Sequence, residues 1–248
     1  YGCTTFERRI SFDLESQLST IDELVELGIN GLILSPYNDE KVQEKIDTLW
    51  TQNIPCVTIN TDLPNSKRIA YVGSDYYKCG QTAAGLIHLF TGGFAKIGIV
   101  TGSHKVLCHE ERISGLKDLF SLRHPGIQVV EVVENNDDDY KSYEVVSRLL
   151  EKHPDLSVLY FTAAGVYGGC RAILNASLQS PLKVITFDAV PSTIEMMEKG
   201  IISATICQQP EEQGAKSLAL LVDYLLTGNL PEESSIYMDL SIKIRENL

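Results

Sequence analysis

Apolar positions along this chain follow two spacings. Short, nearly unbroken runs rich in β-branched side chains recur at residues 31–35, 55–60, 70–73, 96–100, 128–133, 158–161, 183–187 and 204–207. Runs of this length bounded by polar or turn residues predict buried strands. Between them apolar residues recur at helical spacing, as with Leu18, Ile21, Leu24 and Val25 within 16–27. Further helices are predicted at 42–50, 80–90, 111–120, 142–152, 167–176, 192–199 and 211–226, with Gly28 and Gly228 as stops. Residues 1–6 read as one more strand. Alternation of short apolar strands with helices predicts an α/β fold, its parallel sheets covered on both faces. No Pro/Ser-rich linker interrupts the pattern, so a second lobe is expected to be joined by crossing strands, not by a tether.

Composition narrows the classes. The 248 residues carry 33 Asp+Glu against 21 Lys+Arg, a formal charge of −12, with 44% hydrophobic and 22% charged residues. These are globular values, and the length suffices for one large core or two lobes. The acidic balance speaks against these residues holding nucleic acid by themselves, because phosphate binding needs a basic face. The apolar runs are too short to span a bilayer, so no membrane partner is expected. No basic, then apolar, leader opens the sequence.

Six cysteines, Cys3, Cys56, Cys79, Cys108, Cys170 and Cys207, are scattered without C-x-x-C or zinc spacing. They read as free thiols, with Cys56 and Cys207 in the core, and favour a reducing compartment. Neither a cofactor nor a metal is implied. Glycine-rich phosphate loops, H-E-x-x-H and G-x-S-x-G are all missing, so no catalytic residue is assigned. His88, His124 and His153 have core or loop settings. The segment Cys108-His109-Glu110-Glu111-Arg112 reads as a polar helix start, since adjacent helical residues point about 100° apart and share a proton poorly.

Polar residues gather where the predicted strands end. Ser35 closes one, and Asn60 and Asp62 follow another. Ser103, Asp137–Asp139, Thr162 and Asp188 follow four more. Ligands of open parallel sheets collect outside the carboxyl ends of strands, although each such residue alone is more often a helix cap or turn former.

Several motifs, taken together and in order, resemble the type I periplasmic-binding-protein fold of ribose-binding proteins and of the effector domains of lactose-repressor-type regulators. They are Gly28-Ile-Asn-Gly-Leu-Ile-Leu-Ser-Pro36, Ile54-Pro-Cys-Val-Thr-Ile-Asn60, Tyr71-Val-Gly-Ser-Asp75 with Gly80, Phe187-Asp188, and Ala204-Thr-Ile-Cys-Gln208-Gln-Pro210 with Gln213-Gly214. The resemblance implies two Rossmann-like lobes joined by three crossovers, lobe one 1–74 plus 209–240 and lobe two 75–208 plus 241–248. It implies a sugar-sized ligand held between them. It also implies that a first strand and helix, about 30 residues, are absent, and with them the loop that normally stacks an aromatic on the sugar. Tyr140 and Tyr167 read as surface and core, respectively.

Carried over residue by residue, the resemblance implies a ligand set of Ser35, Asn60, Asp62, Arg112, Asp137, Thr162, Asp188 and Gln208. Asn60 stands where ribose binders have Asp, and Thr162 where Asn is common. Carboxylates accept and a guanidinium donates in pairs, which suits a polyol. The expected function is the sugar-sensing domain of a cytoplasmic, dimeric transcriptional regulator of the lactose-repressor type. DNA would be met only through an N-terminal headpiece beyond these residues. The alternative is an extracytoplasmic sugar-binding protein of an uptake system, or a receptor's sensor domain. In either case the chain is read as a binder and not an enzyme.

Overall fold

A computed structural model describes residues 2–10, 13–104, 106–178 and 180–248. The chain divides into two compact units, the first Tyr1–Gly73 with Pro210–Met238 and the second Ser74–Gln209 with Asp239–Leu248. The chain therefore passes between them at 73/74, 209/210 and 238/239; the corresponding positions read from sequence are 74/75, 208/209 and 240/241.

The first unit opens with α1 (Leu14–Glu26), β1 (Leu32–Leu34), α2 (Glu40–Thr51), β2 (Cys56–Ile59) and β3 (Ala70–Gly73). The second holds α3 (Tyr76–Thr91), β4 (Ala95–Thr101), α4 (Leu107–Arg123), β5 (Ile127–Glu134), α5 (Asp139–Lys152), β6 (Val158–Phe161), α6 (Val166–Asn175), β7 (Lys183–Phe187), α7 (Pro191–Glu198) and β8 (Ala204–Cys207). The chain returns to the first unit for α8 (Pro210–Thr227) and β9 (Ser235–Tyr237). It ends in the second with β10 (Ser241–Lys243) and a 3-10 turn at Arg245–Asn247.

Local chemistry explains the element ends. Asp13, Asp39 and Asp75 each cap a helix by accepting a backbone N–H, from Ser16, Lys41 and Lys78 at 2.9 Å. In α2 the buried residues Val42, Ile46 and Leu49 repeat at helical spacing and share a core with Cys56 of β2. Gly92, at φ 63°, ends α3 in the left-handed conformation that glycine adopts without strain.

In the first unit the sheet order is β1-β2-β3-β9, all parallel. One core lies between α1, α2 and the sheet, around Ile21, Ile46 and Leu49. The other joins Val57, Val72 and Leu221 of α8. In the second unit the order is β10-β8-β7-β6-β4-β5. Its two faces are filled by Ile87, Leu116 and Tyr160 on one side and Leu149, Phe161 and Met196 on the other.

Three expectations are corrected. β10 runs antiparallel to β8, with Ser241 opposite Cys207. The chain enters beside the end of β8 and can only run back along it, so this sheet is mixed. No strand is assigned between residues 2 and 10, all of which are exposed, and Tyr1 lies outside the described residues. Among the described residues β1 pairs only with β2, and the opening segment joins no sheet. Cys207, expected in the core, is half-buried at the end of β8.

Two glycines set the spacing of α3 and α4. A Cβ on Gly80 would lie 2.1 Å from the carbonyl oxygen of Arg112, and one on Gly115 would lie 2.0 Å from that of Tyr77. The helices therefore meet backbone to backbone, and the main chain of Arg112 is docked on α3.

Candidate ligand-binding site

Strand order in the second unit turns residues far apart in sequence into neighbours. Along β8-β7-β6-β4-β5 the carboxyl ends present Gln208, Asp188, Thr162, Thr101 and Asn135 in a row. Gln208 Nε2 donates to Asp188 Oδ2 at 2.8 Å, and Thr205 Oγ1 donates to the Asp188 carbonyl at 3.3 Å. The Thr162 hydroxyl donates to Thr101 Oγ1 at 2.8 Å, while its carbonyl accepts from Arg112 Nη1. Arg112, only 5% exposed, comes from the first turns of α4. Its guanidinium carbon sits 3.7 Å from the Phe187 ring centroid and 4.9 Å from that of Tyr76.

Charge in this row is held in a poorly solvated setting. Burial pushes the Asp188 carboxyl up from the usual carboxylate range, opposed by Arg112 and by the Gln208 hydrogen bond. Burial also lowers His109, against the pull of the Asp137 carboxylate, and nearby Arg112 lowers it further. Backbone strain concentrates here too. Asp188 has φ 61°, Asp137 φ 58°, Asn136 φ 54° and Gln209 φ 55°. Non-glycine residues enter this region at a cost and cluster where geometry matters for function.

Asp137 lies beyond β5, with its carboxylate fixed by the Ala164 N–H at 2.9 Å and its own N–H bonded to the buried Asn135 side chain at 3.0 Å. Gly102 is flanked by this carboxylate and the His109 ring; a Cβ there would lie 2.5 Å from Asp137 Oδ2 and 2.7 Å from His109 Cε1.

In the first unit, Ser35 and Asn60 are exposed at the ends of β1 and β2. Ser35 Oγ is 3.4 Å from Thr61 Oγ1, and Asn60, at φ 64°, accepts from the Tyr71 hydroxyl through its carbonyl at 3.0 Å. Asp62 is differently placed. Its carboxylate accepts from Thr58 Oγ1, the Leu63 N–H, and both Nε and Nη2 of Arg68, at 2.7, 2.8, 2.5 and 2.7 Å. Arg68 goes on to donate to the Ser234 carbonyl and to Ser235 Oγ. Asp62 thus ties the β2–β3 turn to the start of β9, with three of these bonds at Oδ1 and one at Oδ2.

The second unit brings together Arg112, Thr162, Asp188 and Gln208, with Asp137 beyond β5, two strands on from β6. The Thr162 hydroxyl, fully buried, meets Thr101, so its link to the row runs through its carbonyl. Tyr140 is 88% exposed and Tyr167 half-buried. Sequence reading missed Tyr76 and Phe187, whose rings pack against Arg112, and Arg68, which claims Asp62. Phe187 sits in the quoted Phe-Asp motif, but its apolar strand context concealed any role beyond packing. Among the described residues, no cluster of three or more His, Cys, Asp or Glu could hold a metal ion.

Comparison with known proteins supplies the context. The sequence profile of the periplasmic binding protein domain matches residues 4–229. The ribose import binding protein RbsB of Bacillus subtilis is 27% identical over 199 residues, covering 80% of this chain and 64% of that protein. The D-allose-binding periplasmic protein of Escherichia coli is 24% identical, covering 88% and 73%. The chain thus spans about two thirds to three quarters of the length of these relatives. Among solved structures, GanP, a glucose-galactose binding protein from Geobacillus stearothermophilus, superposes with a TM-score of 0.86 at 26% identity, covering 95% of this chain and 84% of GanP. An ABC-transporter solute-binding protein from Burkholderia graminis, in complex with D-arabinose, gives 0.88 at 24% identity, covering 94% and 81%. At that identity the second likeness speaks for the fold alone.

These relatives overturn the expected regulator. They are a ribose import binding protein, a D-allose-binding periplasmic protein and a glucose-galactose binding protein, so the assignment to a lactose-repressor-type sensing domain does not stand, and they lend no support to its DNA-binding headpiece, homodimer or cytoplasmic setting. The resemblance to both groups rests on one set of motifs, Phe187-Asp188 among them, and such a set does not separate carriers from regulators. That the chain is a binder and not an enzyme agrees with every relative named. The fold, the ordered strand-end motifs and the profile match together place this chain in the periplasmic binding protein domain family.

Proposed function

We propose that this chain binds a small, uncharged sugar and serves an uptake system as its extracytoplasmic solute-binding protein. The observation that carries this reading is the grouping of Arg112 of α4 with the strand-end residues Asp188 and Gln208 in the second unit. A planar donor, a carboxylate and an amide side by side offer both donors and acceptors to adjacent hydroxyls. Asp137 adds a fixed acceptor, and Ser35 and Asn60 offer neutral polar groups in the first unit. The relatives' names, which specify ribose and allose, support pentoses and their hexose analogues as the first ligands to test.

Free thiols are compatible with an oxidising compartment once their burial is considered. Cys56 and Cys170 are pushed up to about 12 and Cys79 to about 11, in each case chiefly by burial. Thiols held protonated and out of solvent react poorly with oxidants. For these three thiols burial removes the need for a reducing milieu; Cys3 is exposed, and Cys108 and Cys207 are half-buried.

Isothermal titration of D-ribose, D-allose, D-arabinose, D-xylose, D-glucose and D-galactose tests the reading. At least one sugar is expected to bind, and Asp188→Ala to weaken that binding about tenfold or more while the protein stays folded. Absence of binding across the panel, or unchanged affinity in Asp188→Ala, overturns it.

A further inference from the structure

We infer that Tyr76 and Phe187 are positioning residues that hold the Arg112 guanidinium in the plane from which it meets the sugar. The inference rests on the sugar-binding reading above and extends it to residues that act through Arg112.

Arg112 is a buried cation without a carboxylate at salt-bridge distance among the described residues, and its Nε finds no hydrogen-bond partner. Besides the Cys79 thiol, which also meets its side chain, three contacts hold it. The Phe187 and Tyr76 rings lie 3.7 and 4.9 Å from its guanidinium carbon, and the Thr162 carbonyl accepts from Nη1. Its backbone is docked on Gly80. Cation–π attraction is strongest where water is excluded. A guanidinium also donates its fork of hydrogen bonds only within its own plane. Fixing the plane therefore fixes where ligand hydroxyls must sit, and removes rotamer freedom that binding would otherwise have to quench.

The backbone supports this role. Neighbours on a regular strand point to opposite faces, so Phe187 and Asp188 would not address one group. The left-handed turn at Asp188, φ 61°, ends that alternation. The Phe187 ring then lies over Arg112 while the Asp188 carboxylate still feels its charge. Phe187 covers the cation, and Asp188 stands beside it as an acceptor.

A double-mutant cycle tests the inference. Phe187→Leu and Tyr76→Leu are titrated with D-ribose and D-allose, each alone and combined with Arg112→Lys; Phe187→Tyr and Tyr76→Phe serve as conservative controls. Phe187→Leu is expected to weaken binding about tenfold when Arg112 is intact and less than about twofold in the Arg112→Lys background, since the planar group is gone. Both conservative variants should keep wild-type affinity. The Arg112 Nε–H resonance, observed in the unliganded protein, gives a second readout. It should be a single slowly exchanging signal in wild type and should broaden or exchange faster in Phe187→Leu. Equal losses in both backgrounds, or an unchanged resonance in folded Phe187→Leu, overturn the positioning role. Failure of wild type to bind any sugar overturns the sugar reading instead, and the resonance still decides whether the clamp exists.

Discussion

The two units place a carboxylate beyond a strand end and treat it in opposite ways. In the first, Asp62 is met by Arg68 six residues on, and the pair neutralises itself while stitching a turn to β9. In the second, Asp188 and Arg112 stand in one row without a direct salt bridge. The Asp188 carboxyl is bonded to Gln208, and Arg112 is held by rings and a carbonyl. A strand-end acid is therefore no evidence of a ligand by itself. What matters is whether its partners inside the fold already satisfy it.

Substitutions sharpen this contrast. The largest effect is expected for Arg112→Ala, which should weaken sugar binding about a hundredfold or more, because several charge-assisted bonds are lost at once; titration calorimetry reads it directly. Asp62→Asn comes next, and acts on stability instead. It strands a guanidinium whose side chain is 5% exposed, and should cost about 3 kcal/mol of stability with affinity changed less than about twofold. Urea denaturation together with a sugar titration checks both halves, and a large affinity loss without destabilisation would reverse the roles given to the two acids.

Asp188→Asn should weaken binding about tenfold yet raise the melting temperature of the unliganded protein at neutral pH by about 2 °C. The sign follows from its raised carboxyl. An acid whose folded pKa lies above the unfolded value costs stability once the pH exceeds the unfolded value, and the full cost is present above the folded value. The stabilising effect of Asn should therefore vanish in acid, below the normal carboxylate range, and thermal melts at several pH values test this. The smallest change is expected for exposed Ser35→Ala, about twofold in affinity, read by the same titration.

Much of the fold was legible because buried parallel strands write themselves as apolar runs: β3, β6, β7 and β8 coincide with the predicted segments. β9 and β10, three residues each, are too short to rise above their surroundings. Arg112, Asp188 and Gln208 were reachable through family motifs. The satisfaction of Asp62 by Arg68 was not, since it depends on a turn bringing position 68 back over position 62. The clamp on Arg112 was equally hidden, because Phe187 and Tyr76 look like ordinary core residues in one dimension. A count of thiols was a weak guide to compartment for the same reason: reactivity depends on burial, which differs among the six and which a count does not contain.

The glycine contacts between α3 and α4 carry a practical consequence for redesign. At positions 80 and 115 any side chain would wedge the helices apart and carry Arg112 with them. Libraries aimed at a new solute should hold these two sites constant and diversify the exposed strand-end positions, where change leaves the arm proposed to contact the solute in place.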